Sequence, residues 1–255
     1  MENNGDPDLF SGPRTQCLNC ECELAGPFCH ECGQTASIER YRIKRIGTEI
    51  YEQFRKIDVL TTLRTVWLLT TKPGDFVTGY LAGRRVGFLN PVKFFFYSFV
   101  AQILFGTLAL WVTSDHRYDY LIKIDYQIEF IGLASTVFWG MFWSLLFRRS
   151  GLNLVENIAA AIFFIGQSNF LGLLITFMAL PLNVYYPNTV AYSSLGEVTI
   201  ELLYGFYFAH RLFNERIFLL IPKQVVLSLL FIFSTLVVIY GKILIDALTI
   251  RLGLS

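Results

Sequence analysis

The chain has 255 residues, of which 54% are hydrophobic and only 16% charged, well below the roughly one-quarter charged share of soluble domains. A net charge of +1 gives no large field for nucleic acid or acidic partners, so the distribution of charge matters more than its sum. Residues 1–37 hold one basic side chain, Arg14, and six acidic ones, whereas residues 38–93 hold eleven basic and five acidic. Long apolar runs follow, the pattern of an integral membrane protein with a hydrophilic N-terminal part.

Residues 1–16 are polar and rich in Gly, Pro, Asn and Asp and read as a disordered lead-in. Residues 1–37 lack the apolar core and basic start of a secretory signal, which predicts a cytoplasmic N-terminus. Residues 17–37 contain all five cysteines of the chain. Cys17-x2-Cys20 and Cys29-x2-Cys32 are two knuckles, each able to turn two thiolates toward one metal ion. Together they close a tetrahedral four-thiolate site, the geometry that zinc prefers. A closed site has a structural role, and in a module too small to bury a core the metal supplies the folding energy. The alternative, a disulfide cluster, is disfavoured in a reducing cytoplasm. Cys22 is a fifth thiol, either a competitor of Cys20 for the metal or a free residue. Residues 1–37 are acidic, opposite in sign to a phosphate-binding surface, so no nucleic-acid partner is expected.

Residues 38–90 form a basic amphipathic juxtamembrane region. Ile43, Ile46, Ile50, Phe54 and Ile57 recur at helical spacing, and the pattern runs on through Leu60, Leu63 and Trp67 to stop at Pro73-Gly74. Gly79, Gly83 and Gly87 repeat every four residues. On a helix they would make one small-residue face.

A transmembrane bundle over 91–255 completes the expectation, with spans near 91–113, 130–147, 156–180, 190–209 and 224–245. The fourth is weakened by Glu197 and Glu201. The fold class is thus an all-α polytopic membrane protein, with about five transmembrane helices and a small N-terminal zinc ribbon. Basic residues before the first span, Arg148 and Arg149, and Arg211, Arg216 and Lys223 alternate with acidic or uncharged loops. The positive-inside rule then puts the N-terminus inside and the C-terminus outside. Four spans, with both termini inside, result if 190–209 lies at the interface.

Lys72, Arg84, Arg85 and Lys93, with Pro73 and Gly83 among them, cluster ahead of the first span. They suit anionic lipid head groups or a docking partner; plain topogenic charge on a packed hairpin explains them as well. Gln167, Asn169, Glu197, Glu201 and Lys242 are polar groups at membrane depth. They suggest a polar cavity between spans three, four and five, or hydrogen bonds that join helices. Glu156 falls where a carboxylate complements a helix N-terminus. No nucleophile motif, phosphate loop or zinc-protease signature is present, which argues against an enzyme.

Thr71-Lys72-Pro73-Gly74, Gly83-Arg84-Arg85 and Asn90-Pro91, preceded by "CHECGQ" at 29–34, resemble an uncharacterised bacterial membrane-protein family, the domain of unknown function numbered 3667. That family is marked by Thr-Arg-Pro and Gly-Lys-Arg motifs, often after a zinc ribbon ending in Cys-Gly-Gln. Here Lys72 replaces the Arg of the first motif and Arg84 the Lys of the second. Glu21 stands where many ribbons carry Gly after the first knuckle. The resemblance implies a multi-pass protein of the cytoplasmic (inner) membrane and brings no established activity. The leading expectation is a non-enzymatic scaffold or adaptor, whose ribbon docks a protein partner or the chain's own cytoplasmic segment. A small transporter or lipid-handling protein is the competing one.

Overall fold

The computed structural model describes residues 15–37, 59–113, 136–186, 190–230 and 233. The amphipathic stretch 38–58, the loop 114–135 and Lys242 lie outside the described residues, as does most of the expected fifth span.

Among the described residues the architecture is all-α beyond the cysteine module. The helices are α1 (Val59–Thr71), α2 (Pro73–Leu81), α3 (Pro91–Thr113), α4 (Thr136–Leu146), α5 (Leu154–Tyr185), α6 (Val190–Phe213) and α7 (Ile217–Leu230). The breaks fall where the sequence puts them. Pro73 cannot continue α1, but its fixed φ suits the first turn of α2, directly after Lys72. Asn90 accepts a hydrogen bond from the Lys93 backbone N–H at 2.7 Å and caps α3, with Pro91 in the first position. Asn214, at φ 49°, ends α6 in a left-handed turn whose N–H returns to the His210 carbonyl at 3.1 Å.

α5 opens on a capping box. The Asn153 side chain accepts from the Glu156 N–H at 2.9 Å, and the Glu156 carboxylate accepts from the Asn153 N–H at 2.8 Å. Glu156 thus does the N-terminal work expected of it. Asn153→Ala should cost about 1 kcal/mol, read as a lower midpoint in chemical unfolding of the purified protein.

α5 packs between α3 and α6, and α2 lies against α6, with α1 beside it. The core is aromatic. Trp143, near the end of α4, meets Phe164 of α5 and Phe208 and Phe213 of α6, while Phe163 of α5 packs on Phe76 and Tyr80 of α2 and Phe94 of α3. Phe147 and Phe213 stack with centroids 3.8 Å apart.

One helix among the described residues, over Leu154–Leu182, is long and apolar enough to cross a membrane. Pro91–Phe105, Thr136–Leu146 and Ile217–Leu230 are shorter apolar helices. α6 is a continuous helix of 24 residues. Glu197 and Glu201 lie within it. Five spans are therefore an expectation beyond what the described helices establish.

The glycine repeat resolves differently from the expected helical face. α2 ends at Leu81. Gly83 at φ 112° and Gly87 at φ 80° then form turns that L-residues with side chains adopt only under strain. Only Gly79 is helical, so the repeat is a turn signature and not a packing stripe.

Candidate metal centre and its docking turn

The cysteine module is a two-fold repeat in sequence and structure. Residues 15–24 and 27–36 align at an offset of twelve. In each half the first cysteine's N–H donates to a carbonyl five residues on: Cys17 to Cys22 at 2.8 Å, Cys29 to Gln34 at 2.7 Å. In each half the N–H four residues after that cysteine returns to its carbonyl: Glu21 to Cys17 and Gly33 to Cys29, both at 2.9 Å. The flanking bridges correspond too, Gln16 with Glu23 and Phe28 with Thr35. The left-handed position of each half is Gly33 (φ 74°) and Glu21 (φ 64°). Glu21 therefore adopts the glycine conformation that its side chain disfavours, and the first knuckle forms in spite of it.

The Sγ atoms of Cys17, Cys20, Cys29 and Cys32 all lie within 4.8 Å of one another. Cys17 and Cys32 approach to 3.6 Å, and Cys20 and Cys29 to 3.5 Å. A regular tetrahedron at a Zn–S distance of about 2.3 Å needs sulfurs about 3.8 Å apart. The four thiols fit a metal ion of that size and donor preference. The Cys32 N–H donates to the Cys29 sulfur at 3.5 Å and, with a thiol contact from Cys22, pulls the Cys29 thiol down to about 6. Burial pushes Cys32 up to about 12. Cys17 and Cys29 are buried, Cys20 is exposed, and Cys22 and Cys32 are in between. His30 is exposed beside Glu31 and takes no part.

The module rests on the turn between α2 and α3. The Arg84 guanidinium reaches the Glu21 carboxylate at 3.0 Å. The Arg85 backbone N–H donates to the side-chain carbonyl of Gln34 at 3.3 Å, and Gln34 is buried there. Two adjacent residues of the turn thus hold one point in each half of the repeat. Arg84 and Glu21 are 56% and 75% exposed, so solvent limits this pair to about 0.2–1 kcal/mol. Arg84→Ala should raise amide exchange in residues 15–37 modestly at low salt and leave it unchanged at high salt, where the pair is already screened.

The remaining expected interface residues divide by exposure. Lys72 is exposed and Arg85 half-buried, but Pro73, Gly83 and Lys93 are buried. The Lys93 ammonium lies over the Tyr97 ring at 5.5 Å, which takes it away from a head-group surface. Gly74 shows why the Lys-Pro-Gly stretch is so small. A Cβ there would lie 2.1 Å from the Arg211 carbonyl oxygen of α6. The N-terminus of α2 therefore abuts the carbonyl end of α6, an attractive dipole arrangement.

The polar residues expected at membrane depth bond to separate partners among the described residues. Gln167 donates to Thr70 of α1 at 2.8 Å, and Asn169 donates to Ser98 of α3 at 3.3 Å. Glu197 accepts from Thr176 of α5. Glu201 lies one turn further along α6, partly buried. Each of these three hydrogen bonds joins a different pair of helices. Tyr204 and Tyr207 of α6 act alike, donating to the Leu69 and Thr71 carbonyls at 3.0 and 2.7 Å.

The segment that touches both the module and the core can be compared with known families. Residues 62–103 match the family model described as "Protein of unknown function (DUF3667)". The match runs from α1 through α2 and the docking turn into α3, and covers Lys72, Pro73, Gly83, Arg84, Arg85 and Lys93. The four-cysteine cluster lies ahead of the DUF3667 segment, so both features on which the resemblance was drawn are present. No curated protein and no solved structure matches the chain.

Sequence reasoning missed Glu21 and Gln34 as contacts of the DUF3667 turn. The twelve-residue repeat pairs Glu21 with Gly33 and Cys22 with Gln34; it marks the residues just past each knuckle but does not single out these two.

Proposed function

We propose that the chain is a multi-pass protein of the inner membrane and a non-enzymatic scaffold. Its N-terminal module folds around a structural zinc ion and docks on the chain's own Gly83–Arg85 turn. Held there, it offers a fixed cytoplasmic surface to a protein partner, while Lys72 remains available to anionic head groups. The observation that carries the reading is the paired contact of Arg84 with Glu21 and of Arg85 with Gln34.

The membrane part is supported by what the helices leave uncovered. Phe138, Met141 and Leu145 of α4, Phe177, Met178 and Leu182 of α5, Leu202 and Leu203 of α6, and Phe218, Val225 and Leu229 of α7 are exposed. A water-soluble monomer rarely exposes so much large apolar surface, whereas lipid tails would cover it. The test is topology mapping by reporter fusions after residues 37, 150, 186 and 214. Reporters at 37, 150 and 214 should be cytoplasmic and the one at 186 external. Release of the protein from membranes by alkaline carbonate would overturn the reading.

A further inference from the structure

We propose that Cys22 is an exchangeable ligand of the metal centre, taking the place of Cys20, so that five thiols serve four positions. The proposal rests on the metal reading above. By the repeat, Cys22 corresponds to Gln34. The two side chains turn opposite ways: Gln34 faces away to the Arg85 N–H, and Cys22 faces the sulfurs. Its Sγ lies 3.1 Å from Cys29 and 3.3 Å from Cys20. Both distances are shorter than the 3.5 and 3.6 Å contacts among the four expected ligands. A thiol so close is within reach of the position that Cys20 fills.

The ligand cysteines also differ in freedom. Cys17 and Cys29 are buried and fixed by the backbone ladder of their knuckles, while Cys20 is exposed. Cys20 is therefore the ligand that can swing out as Cys22 comes in. The exchange needs no redox partner. Cys22 loses its thiol proton as its sulfur bonds to the metal, and the released Cys20 sulfur takes up a proton from water. Zinc, with a filled d shell, has no electronic preference among the arrangements passed through. The outcome is a site held by three fixed thiolates and one of two alternates, with a free thiol always beside it.

The experiment measures zinc content and the cobalt(II) charge-transfer spectrum of the full chain in detergent. Wild type, Cys20→Ser, Cys22→Ser, the double variant and Cys29→Ser are compared. Both single variants at 20 and 22 should keep about one zinc per chain and a four-thiolate cobalt spectrum. The double variant should fall to the level of Cys29→Ser. Zinc transfer to a chromophoric chelator should be slower from Cys22→Ser than from wild type, because the incoming thiol is gone. If Cys20→Ser loses zinc as fully as Cys29→Ser while wild type holds it, the exchange is overturned and the metal reading stands. If wild type itself binds no zinc, both fail.

Discussion

Cys29→Ser or Cys32→Ser is expected to abolish zinc binding and unfold the N-terminal module, leaving the helices in place. Wild type should carry about one zinc per chain by elemental analysis and either variant only background. The size of the effect follows from how little else holds the module together. Each half has its own backbone hydrogen bonds and one isolated bridge, and contacts between the halves include Cys17 with Cys32 and Cys20 with Cys29. A unit this small depends on a metal cross-link for its folding free energy. Hydrogen exchange should therefore report loss of protection across 15–37, and the turn at 83–90 should loosen with it as Glu21 and Gln34 leave Arg84 and Arg85. Wild-type protein that holds no zinc and whose thiols are oxidised would overturn the metal assignment.

The second large effect is expected at two glycines. Gly74→Ala would drive a methyl group into the Arg211 carbonyl, at 2.1 Å from its oxygen and 2.5 Å from its carbon. Gly140→Ala would meet the Ile158 backbone of α5 at 2.6–2.7 Å. Backbone cannot rotate away as a side chain can, so the helices themselves must separate. Overpacking of this kind costs about 1–3 kcal/mol and occasionally more. The thermal midpoint in detergent should fall by about 5 °C or more in each variant. Gly172→Ala is the control, since a Cβ there meets nothing within 4 Å, and it should leave the midpoint unchanged or slightly raised by its better helix propensity. Equal midpoints for all three would refute the close crossings.

Local rules made much of this fold legible. Pro73 marks a helix break, Pro91 a helix start, Glu156 a helix N-terminus, and the cysteine spacing a four-sulfur cluster, because each depends on a few neighbouring residues. Contacts between distant segments were not legible. Nothing near Gly74 announces Arg211, and nothing in "CGQ" announces Arg85, since pairing at such separations depends on how α2, α6 and the turn assemble. Gln167 and Asn169 were grouped because both fall mid-way along one apolar run, two residues apart. That spacing turns a helix by about 200°, which sends them to α1 and α3 respectively. The glycine repeat misled for the opposite reason: a period of four suits a helix face, but positive φ at Gly83 and Gly87 was the actual requirement.

The docking turn has one more property. Arg84 and Arg85 are consecutive, so both grips start from neighbouring residues, one from the Arg84 guanidinium and the other from the Arg85 backbone N–H. The points they hold, Glu21 and Gln34, belong to different halves of the repeat, and sulfur contacts tie those halves together. The turn therefore works as a calliper. Both jaws are filled only when the two halves of the repeat lie side by side, and a half bound alone leaves one of them open.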